Sequence, residues 1–215
     1  MSKTLKIALF GATGMIGSRI AAEAARRGHQ VTAFSRNPER VPADVANLKA
    51  AQADVTDAAS IAAGARGHDV VASAYAPPQD DLTQIDKATR ALIEGTRAAG
   101  VKRLVVVGGA GSLEVAPGKQ LVDAEGFPEA YRAIALAHRD VLPILRAASD
   151  LDWTFFAPAA LIAPGERKGT FRTGANALIV DAQGNSSISA EDYAIAFVDE
   201  LEQGRFVHQL ATVAY

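Results

Sequence analysis

Gly11-Ala12-Thr13-Gly14-Met15-Ile16-Gly17 is the stretch whose reading decides the fold. An apolar run, Ile7-Ala8-Leu9-Phe10, leads into it. A helical pattern with Ile16, Ile20 and Ala24 on one face leads away from it. Strand, glycine turn and helix, in that order, form the setting that a dinucleotide pyrophosphate requires. Gly11 permits backbone angles that a side chain forbids. Gly14 lets the main chain come close to the phosphates, and Gly17 lets the helix lie close to the strand. The start of the helix then presents free N–H groups and the positive end of its dipole to the anion. Gly11, Thr13, Gly14, Met15, Ile16 and Gly17 are therefore the expected phosphate-binding residues. The spacing is G-x-x-G-x-x-G rather than G-x-G-x-x-G, so the strand before and the helix behind carry the reading.

Outward from this turn, strands and helices alternate. The first helix is expected to about Arg27, ended by Gly28-His29. Strands are expected at Val31–Phe34, Leu48–Ala53, Asp69–Ser73, Arg103–Val107 and Trp153–Phe156, with a last one from Phe206 to Val213. Asp57 is placed to cap a helix over Ala58–Ala65. Leu82, Ile85, Ala88, Leu92, Ile93 and Thr96 mark a long helix that Gly100 closes. A second long helix is expected from Pro128 to Ser149, kinked or broken at Pro143, which lacks an N–H and crowds the preceding turn. Pro158 to Gly169 reads as a loop. Thr170–Arg172 and Leu178–Val180 read as a short extended pair. Ser189 caps a final helix with Glu191 and Asp192 in its first turn. Such alternation predicts an α/β protein of the Rossmann type, a doubly wound parallel sheet with helices on both faces. Residues 1–215 form one domain, with 158–215 expected to add a small substrate-side lobe.

Composition narrows the function. The chain has 215 residues, a net charge of −2 and no run of basic residues, which argues against electrostatic binding of nucleic acid. It contains no cysteine, which removes thiolate metal sites, disulfides and cysteine nucleophiles. No His-Glu-x-x-His or similar metal spacing occurs. No membrane-length apolar segment or secretory pattern is visible, so a cytoplasmic protein is expected. Nothing in the chain assigns an oligomeric state.

In a doubly wound sheet, ligands lie across the carboxyl ends of the strands. Ser35 and Arg36 follow the second strand, where an acidic residue favours NAD. A hydroxyl and a guanidinium there favour the 2′-phosphate of NADP(H) over NAD(H), with Arg40 assisting. Asp54 and Val55, after the third strand, are expected beside the adenine. Ala74 and Tyr75, after the fourth, are expected along the ribose. Gly108 and Gly109, after the fifth, leave room at the nicotinamide end. His138, on the helix behind that end, is the one histidine placed for general acid–base work.

These segments together resemble an atypical short-chain dehydrogenase/reductase of the NAD(P)H-binding, NmrA-like type. The carriers are GATGMIG, SRNP after strand two, Asp54-Val55, VVVGGAGSL, LDWTFFAPAALIAPGER and ISAEDYAIAFVDEL, which together cover essentially the whole chain. The Ile-Ser-x-x-Asp helix is also similar to biliverdin/flavin reductases. Fully equipped short-chain reductases carry a serine after strand five and a Tyr-x-x-x-Lys pair on the next helix. Here Gly108 and Gly109 stand in the serine region, with Ser112 further on. Tyr131 is followed by Ala135 rather than by lysine. Aligned on Leu151-Asp152-Trp153, the lysine position falls near His138 and the tyrosine position near Ile134. The resemblance implies an NADP(H)-dependent reductase with His138, Ser112 and Tyr131 as the candidate catalytic residues. Its expected partner is a small acceptor, bound between Ser112–Phe127 and Pro158–Thr173. A sensor that binds NADP(H) without turnover, and a sugar-nucleotide epimerase, are the competing readings.

Overall fold

The computed structural model describes residues 3–42 and 45–215. The glycine turn sits between β1 (Lys6–Phe10) and α1 (Met15–Arg26), followed by β2 (Gln30–Ser35) and β3 (Leu48–Gln52). Next come α2 (Ala58–Ala65), β4 (Val70–Ser73), α3 (Gln84–Ala98) and β5 (Arg103–Val107). A small hairpin, β6 (Glu114–Ala116) and β7 (Lys119–Gln120), precedes α4 (Glu129–Ala147). The chain ends with β8 (Asp152–Ala157), β9 (Leu161–Ala163), β10 (Arg172–Ala175), β11 (Ser187–Ser189), α5 (Ala190–Gln203) and β12 (Gln209–Ala214).

Eight strands form one sheet in the order β10-β12-β8-β5-β4-β1-β2-β3. All neighbours are parallel except β10, which runs antiparallel to β12. The strand order reverses between β1 and β4, and a crevice at that switch point is the expected ligand site of such sheets. Alternation along the strands sorts the core into two layers. Ile7 and Leu9 join the layer under α1 and α5, with Ile20, Tyr193 and Phe197. Ala8 and Phe10 join the layer under α2, α3 and α4, with Ile61, Leu92 and Leu145. Because both faces are covered, β4 is buried at all four positions, as a central parallel strand should be.

The expected caps form. Asp57 accepts from the Ala59 N–H at 3.0 Å, and Ser189 accepts from the Asp192 N–H at 3.1 Å. Gly28 takes φ +85° after α1. Three local expectations are corrected. Of the kink or break expected at Pro143, the break is overturned: α4 runs continuously to Ala147. Pro143 is exposed, so the Arg139 carbonyl that lacks its donor faces the solvent side. Within the expected loop 158–169, Leu161–Ala163 pairs in parallel with Ser187–Ser189. Finally, 170–172 does not pair with 178–180. Residues Arg172–Ala175 pair instead with β12, and Leu178 donates its N–H to the Glu114 carbonyl at 2.9 Å. Each of these corrected pairings depends on a partner distant in sequence, which local periodicity does not report.

Candidate functional site: the crevice at the strand switch point

The turn after β1 is closed by its own glycines. Gly11 has φ +80°, and a Cβ there would lie 2.6 Å from the Ala74 carbonyl carbon. A Cβ on Gly17 would run into the Gly11 carbonyl oxygen. These two glycines are needed by the protein itself. Gly14 differs: it has ordinary extended angles, and the one atom near its would-be Cβ is the Gly11 oxygen at 3.6 Å. Its bare backbone therefore faces open space, where a ligand main-chain contact would fall. The ladder of α1 begins with Ser18 N–H donating to the Gly14 carbonyl at 3.0 Å. The N–H groups of Met15, Ile16 and Gly17 precede it and are left for an anion.

A cavity of about 210 Å³ opens beside this turn. Its walls include Gly11, Thr13 and Gly14 at one side and Ser35, Arg36 and Arg40 at the other. Val55, Ala74 and Tyr75 complete it. Arg36 and Arg40 line the cavity and make no direct ion pair among the described residues, with the Asp54 carboxylate near enough to feel the Arg36 charge. Ser35 Oγ accepts from the Asn37 N–H at 3.1 Å and so shapes the turn that carries Arg36. Asp54 is not among the residues lining the cavity, although its neighbours Ala53 and Val55 are, and its Oδ1 is already used, accepting from the Thr56 N–H and hydroxyl at 2.8 Å each. Those bonds, the N–H first, hold the Asp54 carboxyl below its usual range against the opposing effect of burial, with Arg36 and Lys87 helping. Burial raises the Tyr75 phenol, and the fields of Arg36, Asp54 and Asp81 reach it.

Tyr75 also borders a second, water-sized cavity of about 20 Å³, lined by Ser73, Thr89, Val107, His138 and Phe155 among others. His138 Nδ1 is buried and has no hydrogen-bond partner. Burial pulls the His138 pKa down to about 4, so the ring is neutral at pH 7. Gly108 and Gly109, expected to make room for nicotinamide, have closer reasons. A Cβ on Gly108 would strike the Phe155 ring, and one on Gly109 would lie 2.8 Å from His138 Cβ. Glycine at these positions lets β5 and its turn pack against β8 and α4. Ser112 is buried with its Oγ unpaired, on the same turn. Tyr131, by contrast, is 64% exposed and lines neither cavity.

Sequence reasoning missed two carboxylates at the start of α5. Glu191 accepts from the Gly165 N–H and from Arg19, and Asp192 accepts from the N–H groups of Lys168 and Gly169. Two adjacent acids were legible as first-turn residues, but their targets lie more than twenty residues away. Among the described residues, no group of three or more His, Cys, Asp or Glu is placed to hold a metal ion. None of the described helices is long and apolar enough to cross a membrane.

A glycine turn opening a helix, at the switch point of a doubly wound sheet, with arginines lining the crevice beyond strand two, defines a Rossmann-type dinucleotide-binding protein. The chain belongs to the NAD(P)H-binding family, whose model matches residues 11–203. A Burkholderia pseudomallei protein named a candidate exported protein has a similar crystal structure: 70% identity, 99% of this chain and 100% of that one covered, TM-score 0.92. A candidate epimerase from Bacteroides thetaiotaomicron is 41% identical, with 99% and 98% covered and a TM-score of 0.92. A candidate NADH-flavin reductase from Streptococcus pneumoniae is 32% identical, with 98% and 99% covered and a TM-score of 0.85.

Proposed function

We propose that this chain is a cytoplasmic NADP(H)-dependent reductase acting on a small conjugated acceptor of the flavin or quinone kind. The observation that carries the acceptor class is that neither His138 nor Tyr131, the two candidates on α4, is an activated acid at the proposed nicotinamide end. His138 is neutral, and Tyr131 stands in solvent. A simple carbonyl reduced by hydride becomes an alkoxide and needs a positioned acid. A conjugated ring spreads the incoming charge and takes its proton from water. The solved relative named a candidate NADH-flavin reductase supports the flavin-type acceptor, while its name gives NADH as the cofactor. NADP(H) preference is supported by Arg36 and Arg40, which line the cavity and make no ion pair among the described residues. A chain without cysteine suits a reducing cytosol.

When bound, the cofactor supplies hydride; the rest is done by this chain's own residues. The N–H groups of 15–17 hold the pyrophosphate, and Arg36 holds the 2′-phosphate. Tyr75 and Val55 wall the adenosine side. Neutral His138 orients the acceptor by a hydrogen bond and keeps its proton.

Steady-state NADPH oxidation tests the proposal. Turnover is expected with FMN, riboflavin or a naphthoquinone, and little with simple aldehydes or ketones. Efficient ketone reduction overturns the acceptor class. Tight NADPH binding with no turnover on either class favours the sensor reading, which the missing Tyr-x-x-x-Lys pair also supports. The epimerase reading lacks its Tyr-x-x-x-Lys pair.

A further inference from the structure

The first turn of α5 is bonded both to α1 and to the loop 165–169. Glu191 sends its two carboxylate oxygens in different directions. Oε1 accepts from Arg19 Nε on α1 at 2.5 Å, and Oε2 accepts from the Gly165 N–H at 2.8 Å. A second nitrogen of Arg19 donates to the Met15 carbonyl at 2.9 Å. Asp192, fully buried, accepts from the N–H groups of Lys168 and Gly169 at 3.1 and 2.9 Å. Between them, Arg167 reaches Glu23 of α1 at 3.3 Å. Segment 165–169 is thus pinned by three carboxylates.

The Met15 carbonyl and the Ile16 N–H belong to one planar peptide unit. That N–H is among those left free at the start of α1. A guanidinium on the carbonyl side of the unit fixes its orientation and polarises its N–H as a donor, and a charge-assisted bond does this more strongly than a neutral one. The contact path therefore runs from the Gly165 N–H through Glu191 and Arg19 to the peptide that faces the pyrophosphate.

We propose that Arg19 and Glu191 are positioning residues whose ion pair ties the acceptor-side loop 165–169 to the phosphate turn, so that filling the turn tightens the loop. This rests on the reading of 158–173 as the acceptor wall. Bulk stability does not explain the pair. Both side chains are about a quarter exposed, and such pairs contribute on the order of 1 kcal/mol or less. The arrangement instead joins the two places that a two-substrate enzyme must bring into register. Because Glu191 is engaged on both oxygens, neither partner can shift without the other losing a bond.

Hydrogen exchange on the full chain, with and without saturating NADP+ and NAD+, tests the coupling without any acceptor. In the wild type, nucleotide is expected to protect 11–17 and to slow exchange in 164–170 by about fivefold or more. Arg19→Gln leaves the Glu191–Gly165 bond in place, so the loop should exchange as in the wild type without nucleotide. Its response to nucleotide should be lost while protection of 11–17 persists. Glu191→Gln should loosen the loop even without nucleotide and also remove the response. A loop that responds equally in Arg19→Gln, or that does not respond in the wild type, overturns the proposal. Absent NADPH oxidation with every acceptor overturns the reductase reading but leaves the exchange result standing. A coupled loop whose loss does not raise the KM for FMN in Arg19→Gln overturns its part in acceptor binding.

Discussion

Two ends of one crevice are built on opposite terms. At the end proposed for the adenosine, glycines 11 and 17 close the turn, Gly14 faces open space, and Arg36 and Arg40 make no ion pair among the described residues. At the end proposed for the nicotinamide, glycines 108 and 109 are filled from behind by Phe155 and His138, and the His138 ring, its Nδ1 buried, is neutral at pH 7. One end keeps space and charge in reserve for a ligand. The other spends its glycines on its own packing, and its imidazole carries no charge at pH 7. Binding and chemistry are therefore separable in this molecule, and the contrast can be attacked at either end.

The largest effect is expected from the two kinds of glycine in the phosphate turn. Gly17→Ala forces a methyl into the Gly11 carbonyl, so both folding and cofactor binding should suffer, by about 3 kcal/mol or more in stability. Gly14→Ala should fold normally and weaken NADPH about tenfold, since its methyl meets the ligand rather than the protein. Thermal melts and calorimetric titration on both variants check this. Equal destabilisation by the two would erase the distinction between structural and ligand-facing glycines.

Next, Arg36→Glu should weaken NADPH about 100-fold and NADH little, because a charge-assisted pair is replaced by repulsion. Titration with both nucleotides decides it, and an unchanged NADPH affinity would reduce Arg36 to a turn residue.

A smaller, pH-dependent effect belongs to the back of α1. Burial pushes the Glu23 carboxyl up, but hydrogen bonds and charges from Arg26 and Arg27 bring it down to about 2. A carboxyl lowered in the folded state stabilises it above about pH 4.5 and loses that contribution as the pH falls towards 2. Glu23→Gln should therefore lower stability by about 2 kcal/mol at pH 7, with the difference from wild type shrinking below pH 4.5. Denaturant melts across that range measure it. Cofactor affinity should hardly change, which would confirm that the ion network serves the scaffold and not the ligand.

The smallest effect is expected at the other end of the crevice. With a pKa of about 4, His138 is already neutral from pH 6 to 8. The pH–rate profile of the reductase should show no His138 limb near 6.5, and His138→Ala should lower kcat/KM by about tenfold or less. A limb near 6.5 that vanishes in the variant would make His138 a proton donor and remove the contrast between the ends.

The same contrast explains what was legible in the sequence. The Gly11–Gly17 turn, the caps at Asp57 and Ser189 and the helical stripes are set by neighbours a few residues apart, and these formed as read. The role of Gly109 depends on His138, and the pairing of 172–175 depends on β12, far along the chain. The unpaired Nδ1 of His138 also follows from tertiary packing, and no motif announces it. Locally encoded features point to the cofactor, whereas the acceptor end is assembled from distant segments.

The sheet order has a consequence for synthesis. β10 pairs with β12 alone, and β12 is also the outer neighbour of β8. As the chain leaves the ribosome, β10 must wait for a strand made more than thirty residues later. Until then the β8 edge stays open, while the strands around the glycine turn can already pair. Such an open edge invites pairing with other chains. A chain stopped after Gln203 would keep the cofactor turn and carry a bare edge, which makes the final strand the one that protects the nascent protein from its neighbours.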